Sequence, residues 1–495
     1  MNIKEAKEYI KDTVKLYLKK DEYGDYRIPV VRQRPIFLLG APGIGKTAIM
    51  EQIASELDIA LVSYSMTHHT RQSALGLPFI TQKEYGENTY SVSEYTMSEI
   101  IASVYDTMKE SGINEGILFL DEINCVSETL YPSMLQFLQY KTFGRHAVPE
   151  GWVIVTAGNP QEFNRAVREF DVVTLDRLKV LDVEADYKAW KEYAVARNLH
   201  GAIINFLDAN RDYFYKIETT VEGRSYVTAR GWEDLSEILY LYEEEGIAPG
   251  EHLMSQYLKN DEVVREFAAY YDLYNKYKET YKADALLEGN FSDETILKAK
   301  NAKSDERLAL EGLLLDRIEG ELSSVTELSG LLRNIRPALT AAKEGKEEDI
   351  AAVIKEKLDD TANTIKTRSR AGSLSYADKK KLKAEASLLK ELFDGVSKSS
   401  KPSASLSEIY NSKVTLLKEK AGKAGEHLKN LFSFTNEAFG EESNEMLVAV
   451  TELTVNEKTA EFLSTFGSEE YEHYNKILMV NDREKLLRKE IAGII

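Results

Sequence analysis

Between residues 38 and 47 the chain reads LLGAPGIGKT, and Gly40, Gly45, Lys46 and Thr47 fit the spacing G-x-x-x-x-G-K-[ST]. Those residue types at that spacing suit the holding of phosphates. Glycines let backbone N–H groups turn inward around a β-phosphate. Lys46 sets a point charge on the β- and γ-phosphates, and Thr47 offers a hydroxyl to Mg²⁺. The stretch AIMEQIASEL follows, a helix whose N-terminus favours anions. The expected phosphate-binding loop comprises Gly40, Ala41, Pro42, Gly43, Ile44, Gly45, Lys46, Thr47 and Ala48.

A second group follows downstream. In ILFLDE the apolar residues place Asp121 and Glu122 at the carboxyl end of a buried strand, where open α/β sheets bind ligands. Asp121 can hold Mg²⁺ through water, and Glu122 can polarise an attacking water as general base. A third strand-end signal is VTAGNP. Asn159 there can orient the water or touch the γ-phosphate, or it can simply start an Asn-Pro turn; residue types alone leave both open.

These residues need a parallel sheet beneath them. Short apolar runs at 36–40, 60–66, 116–122, 152–159 and 179–186 alternate with helical stretches. Their near-continuous hydrophobicity fits strands buried on both faces, in βαβ units. Residues 77–95, with GEN at their centre, read as an inserted β-hairpin. From 186 to 280 the pattern is helical and aromatic-rich, and beyond 281 it turns to Lys, Glu, Leu, Ala and Ser. Leu314, Ile318, Leu322, Val325 and Leu328 mark one long helix, which Pro337 should end or kink. Ser375 and Asp378 form a capping box, and residues 394–405 read as a flexible connection. Ile3, Ala6, Ile10, Val14 and Leu18 give an amphipathic N-terminal helix rather than a secretory signal. The expected domains are 1–28, an N-terminal helix; 29–185, an αβα core with a parallel sheet; 186–280, a helical region; and 281–495, a helical C-terminal domain.

With 495 residues the chain exceeds a single core. Its net charge of -19 disfavours general binding to a phosphate backbone. No run of 18 apolar residues signals a membrane span. Cys125 is the only cysteine, which excludes internal disulfides and favours a cytoplasmic home. Adjacent His68 and His69 point to opposite faces of a strand and do not make a metal site. Cys125 reads as a small filler, and the Tyr-rich stretch 268–281 as a helical core stripe.

The motifs GAPGIGKT, ILFLDEIN, GWVIVTAGNP, LDRLKVLDVEAD and VTARGWEDLSEIL resemble, in this order, the MoxR-type AAA+ ATPases, over about residues 30–245. The resemblance implies an α/β fold: an AAA+ P-loop NTPase core with a helical lid, here followed by a large all-α C-terminal region. It assigns Lys46 and Thr47 to Walker A, Asp121 and Glu122 to Walker B, Asn159 to sensor 1 and Arg230 to sensor 2. Arg177 matches the arginine finger, although Asp176 and Leu178 replace the usual Asn and Phe; Arg165 and Arg168 are rivals. The resemblance further implies a homo-oligomeric ring, hexameric, acting on a protein client, such as a protein with a von Willebrand A domain. It places the hairpin at 77–95 and that at 140–151 toward clients, with Tyr90 or Phe143 in contact. Two other function classes compete with a remodelling motor, namely an ATP-switched scaffold and a nucleic-acid motor or loader.

Overall fold

The structure is a computed structural model, and it describes residues 1–478 apart from 69–71, 73, 75, 164–166 and 221–222. The chain divides into two compact units, and they interleave along the sequence. The first comprises Met1–Ala189 together with Asp359–Lys383; the second comprises Trp190–Leu358 and Ala384–Ile495.

The first unit is an αβα layer structure. Its sheet has five parallel strands: β1 (Ile36–Gly40), β2 (Ala60–Ser65), β5 (Gly116–Asp121), β8 (Trp152–Gly158) and β9 (Lys179–Val183), in the order β2-β5-β8-β1-β9. Each apolar run forms its expected strand. The central strands are buried on both faces, as parallel sheets covered by helices require. Leu39 aligns with Gly158, Gly40 with Val183 and Ser65 with Asp121, so the strands finish together at one carboxyl edge. Strand order reverses at β1, which places the loop after β1 at the switch point where such sheets take ligands. Helix α1 (Ile3–Tyr17) buries Ala6, Ile10 and Val14, and Asn2 with Glu5 closes its capping box.

The insertion forms the antiparallel pair β3 (Pro78–Tyr85) and β4 (Asn88–Tyr95). The short hairpin β6 (Thr142–Phe143) and β7 (His146–Ala147) precedes β8. Tyr90 is exposed, but Phe143 is not. Phe143 is stacked on Phe137 at 4.1 Å and lies in the core cluster of the unit, so it is a packing residue rather than a client contact.

In the second unit the helical reading holds, with one addition: a β-hairpin of β10 (Lys216–Thr220) and β11 (Gly223–Val227). The Tyr-rich stretch is a core stripe. Within helix Asp261–Tyr281, Phe267, Tyr271, Tyr274 and Tyr281 are buried, and Phe267 meets the rings of Phe206 and Trp232. Helix Ser304–Glu344 buries Leu314, Ile318, Leu322 and Val325 as the spacing predicts. It does not stop at Pro337. Burial of Leu332, Ile335, Leu339 and Ala342 on both sides of the proline holds the helix together across the missing N–H. The expected flexible connection is also mostly helical. Helix Tyr376–Ser397 extends into it, its Val396 buried, and helix Pro402–Phe439 resumes with proline in the first turn, where no N–H is needed. Among the described residues no helix is long and apolar enough to cross a membrane.

Glu311 sits inside this helical core with no accessible surface, and both its oxygens accept from the Thr435 hydroxyl at 3.0 and 3.2 Å. Burial, with nearby Glu445 adding to it, pushes its carboxyl from 4.5 up to about 8. An acid raised on folding stabilises fully below its unfolded value and loses that contribution as pH rises through its folded value. Glu311→Gln is therefore expected to match the parent in thermal or denaturant unfolding near pH 4.5 and to be the more stable protein above pH 8.

Candidate active site

β1 ends at Gly40, and a Cβ there would stand 2.6 Å from the Val183 carbonyl oxygen and 2.9 Å from Ile44 Cδ1. Only glycine lets the chain leave the sheet at this point. Gly43 and Gly45 adopt positive φ of 74° and 97°, the left-handed region that glycine enters without penalty. Helix α2 (Lys46–Glu56) starts directly after, with Gly45 as its N-cap and no side chain capping it. Its first N–H groups are thus left for an anion. Thr47 and Ala48 are exposed beside them.

Lys46 is 8% exposed. Its Nζ donates to Gly40 O at 2.6 Å, Ala41 O at 2.8 Å and Asn159 Oδ1 at 2.9 Å. A nearly buried ammonium needs acceptors for its three protons, and loop carbonyls and Asn159 supply them. This contact sets Asn159 beside the loop that follows β1. Asn124 reinforces it. The Asn124 amide donates to Asn159 O at 2.9 Å, and Asn124 O accepts from Arg168 N at 2.9 Å. Asn124 packs so close to Gly158 that a Cβ there would lie 2.4 Å from its Oδ1.

On the facing strand Thr47 Oγ1 donates to Asp121 Oδ2 at 3.0 Å. A hydroxyl and a carboxylate are hard oxygen ligands of the kind Mg²⁺ takes together with phosphates and water. Among the described residues no three His, Cys, Asp or Glu side chains gather as a metal cluster. A cation at this place would therefore share its coordination with the nucleotide. Glu122 has φ 56°, a left-handed conformation costing a non-glycine residue about 1–2 kcal/mol. The turn sends its side chain toward β2, where Oε2 accepts from Ser65 Oγ and Thr67 Oγ1, each at 3.0 Å. The Glu122 N–H is taken by Asp121 Oδ1 at 2.9 Å. Beside this pair, burial and then the carboxylates of Glu122 and Asp121 push the half-buried Cys125 thiol up, away from thiolate chemistry.

Lys46, Thr47, Asp121, Glu122 and Asn159 thus converge at one edge of one sheet. Neither Arg177 nor Arg168 joins them within this unit. Arg177 is exposed after the short helix Val172–Leu175 and makes no ion pair among the described residues, and its charge is felt by Asp171. Arg168 pairs with Glu128. Arg165 lies outside the described residues. Arg230 belongs to the second unit, exposed in the first turn of helix Ala229–Glu244, which Thr228 caps. A positive charge at a helix N-terminus opposes the dipole by about 0.3–1 kcal/mol, so its place there is not explained by stability. His69 is outside the described residues too.

Ser65, Thr67 and Asn124 escaped the reading of the sequence. For Ser65 and Thr67 the only signal was the pairing of Ser65 with Asp121, which needs the strand register; Asn124 closes the ILFLDEIN motif but was given no role there. Removing both hydroxyls with Ser65→Ala and Thr67→Val is expected to release Glu122. At about 1 kcal/mol per bond, the two together are worth up to about 30-fold, so basal nucleotide hydrolysis should rise by as much as that with nucleotide affinity unchanged. A steady-state phosphate-release assay with a nucleotide titration checks it.

No curated protein matches the chain. Residues 36–176, which carry four of the five strands and the loop after β1, match the model of the ATPase family associated with various cellular activities (AAA).

Proposed function

We propose that the chain is a MoxR-like, ATP-hydrolysing machine that works as a ring of identical subunits, hexameric, and remodels or matures a protein client. The observation that carries the reading is the Lys46–Asn159 contact beside the Thr47–Asp121 pair. ATP would lie along the loop Gly40–Ala48 with its phosphates on the start of α2. Lys46 then exchanges carbonyl acceptors for phosphate oxygens, Thr47 and Asp121 hold Mg²⁺, and Glu122 takes the proton of the attacking water. Asn159 orients that water. Arg177, with Arg165 and Arg168 as rivals, enters a neighbouring subunit's site as the finger, and Arg230 serves as the second sensor. An arginine supplied this way is worth about 10³–10⁵-fold in rate in other NTPases. Arg177, exposed and without an ion pair among the described residues, suits such a role.

The client is a protein, and the resemblance favours one with a von Willebrand A domain. The exposed apolar residues Phe79, Ile80, Tyr85 and Tyr90 of the β3–β4 hairpin offer the contact. The chain's acidity disfavours nucleic acid as client.

In a coupled ATPase assay Glu122→Gln should still bind MgATP while turnover falls by about 10²-fold or more, and Lys46→Ala should lose binding. Mixing Glu122→Gln with Arg177→Ala subunits should restore turnover, because each intact site then borrows its finger from the other variant. Undiminished turnover in Glu122→Gln contradicts the reading, and a mixture as inactive as its parts removes Arg177 from the role. ATP-bound Glu122→Gln should retain a von Willebrand A protein that the ADP-bound form releases; equal retention in both states argues for a scaffold instead.

A further inference from the structure

Residues Asp359–Lys383 come from the C-terminal helical region, yet they belong to the ATPase unit. They are the tip of a helical hairpin. Helix Ile350–Arg370 enters, a turn follows at 371–375, and helix Tyr376–Ser397 leaves. Both helices run unbroken across the boundary between the two units of the chain.

The tip grips two elements. Against β2 at the edge of the sheet, Leu61 N donates to Ala371 O at 2.7 Å. Ala371 has no exposed surface and is part of the core cluster that contains Ala60 and Val62. Gly372, φ 65°, lies so close that a Cβ would sit 2.5 Å from Leu61 O, which demands glycine twice over. Against the far end of α2, Ser55 Oγ donates to Asp378 Oδ2 at 2.5 Å, and the same oxygen accepts from Ser375 Oγ at 2.5 Å. Arg368 pairs with Asp58, just past the end of α2.

Both gripped elements end in the ATP site. From Leu61 to Ser65 is about 13 Å of strand. From Ser55 back to Lys46 is about 14 Å of helix. One rod ends in Ser65, with Thr67 in the turn directly after it, and these hold Glu122; the other starts with Lys46 and Thr47, and α2 packs on β2.

We propose that the 359–383 tip is a positioning element for ATP hydrolysis. It pins α2 and β2 together at the ends remote from the chemistry. Residues of the C-terminal helices thereby set the stagger of Lys46 and Thr47 against Ser65, Thr67 and Glu122. The inference rests on the ATPase reading above. It gives the C-terminal helices a role in turnover beyond docking a partner, because any load that moves the hairpin is felt where water is activated.

The test uses the full chain, with MgATP affinity from a fluorescent ATP analogue and turnover from phosphate release. Gly372→Val forces the tip from β2. Turnover should fall by about tenfold or more, with affinity within about threefold of the parent, since the phosphate loop itself is untouched. As Gly372→Val can also disturb folding, a second arm uses Ser55→Ala, Asp378→Ala and their combination. Their effects on turnover should be non-additive, the double variant matching the worse single one, because both act through one hydrogen bond. Turnover within twofold of the parent in a folded Gly372→Val, or additive effects in the cycle, overturns the proposal. Parent protein that neither binds nor hydrolyses ATP overturns the ATPase reading instead, so the two failures are distinguishable.

Discussion

The site depends on how one buried ammonium is satisfied. Lys46 cannot sit at the mouth of β1 without acceptors, and the chain supplies them from Gly40, Ala41 and Asn159. The first two belong to the loop that would embrace a triphosphate. The third lies at the end of another strand. On the proposed function, a phosphate would compete with Asn159 for Lys46, and arrival of nucleotide would free the Asn159 side chain. Glu122 obeys the same logic on the other side, its carboxylate held by two hydroxyls of the β2 end. Both reactive groups rest on protein partners that a ligand can displace.

Geometry beneath this is set by the sheet. Parallel strands in the order β2-β5-β8-β1-β9 bring the β1 loop, Asp121 and Asn159 to one edge, although they are far apart in sequence. Close approaches that only glycine permits, at Gly40 against Val183 and at Gly158 against Asn124, keep that edge tight. The outer flank of β2 is met by the segment 359–383, so the αβα layer structure is completed by residues of the helical region.

Much of this was legible. Apolar runs bounded by turn residues identified all five strands, because strands buried on both faces leave continuous hydrophobic signatures. The loop and Asp121-Glu122 announced themselves by spacing that few other chemistries use. Other features could not be read. Ser65 and Thr67 are ordinary residues whose role exists only in the register of β2 against β5. Within the tip at 359–383 only the Ser375–Asp378 cap was legible, and it marks a helix start rather than a contact with β2 or α2; the contacts themselves are a backbone hydrogen bond, a glycine and a carboxylate, each common in any helix-turn-helix. Pro337 and the 394–405 stretch misled for one reason: local propensity was overridden by burial of Leu332, Ile335, Leu339 and Val396. Phe143 looked like a loop aromatic until Phe137 was found beneath it.

The most direct measurement is a crystal structure of the protein with ADP, beryllium fluoride and Mg²⁺, a mimic of bound ATP. The expected result has Lys46 Nζ moved off the Gly40 and Ala41 carbonyls onto the phosphate mimic, Asn159 turned toward the same group, and Mg²⁺ between Thr47 and Asp121. A nucleotide bound elsewhere, with Lys46 still hydrogen-bonded to its own loop, contradicts the central claim.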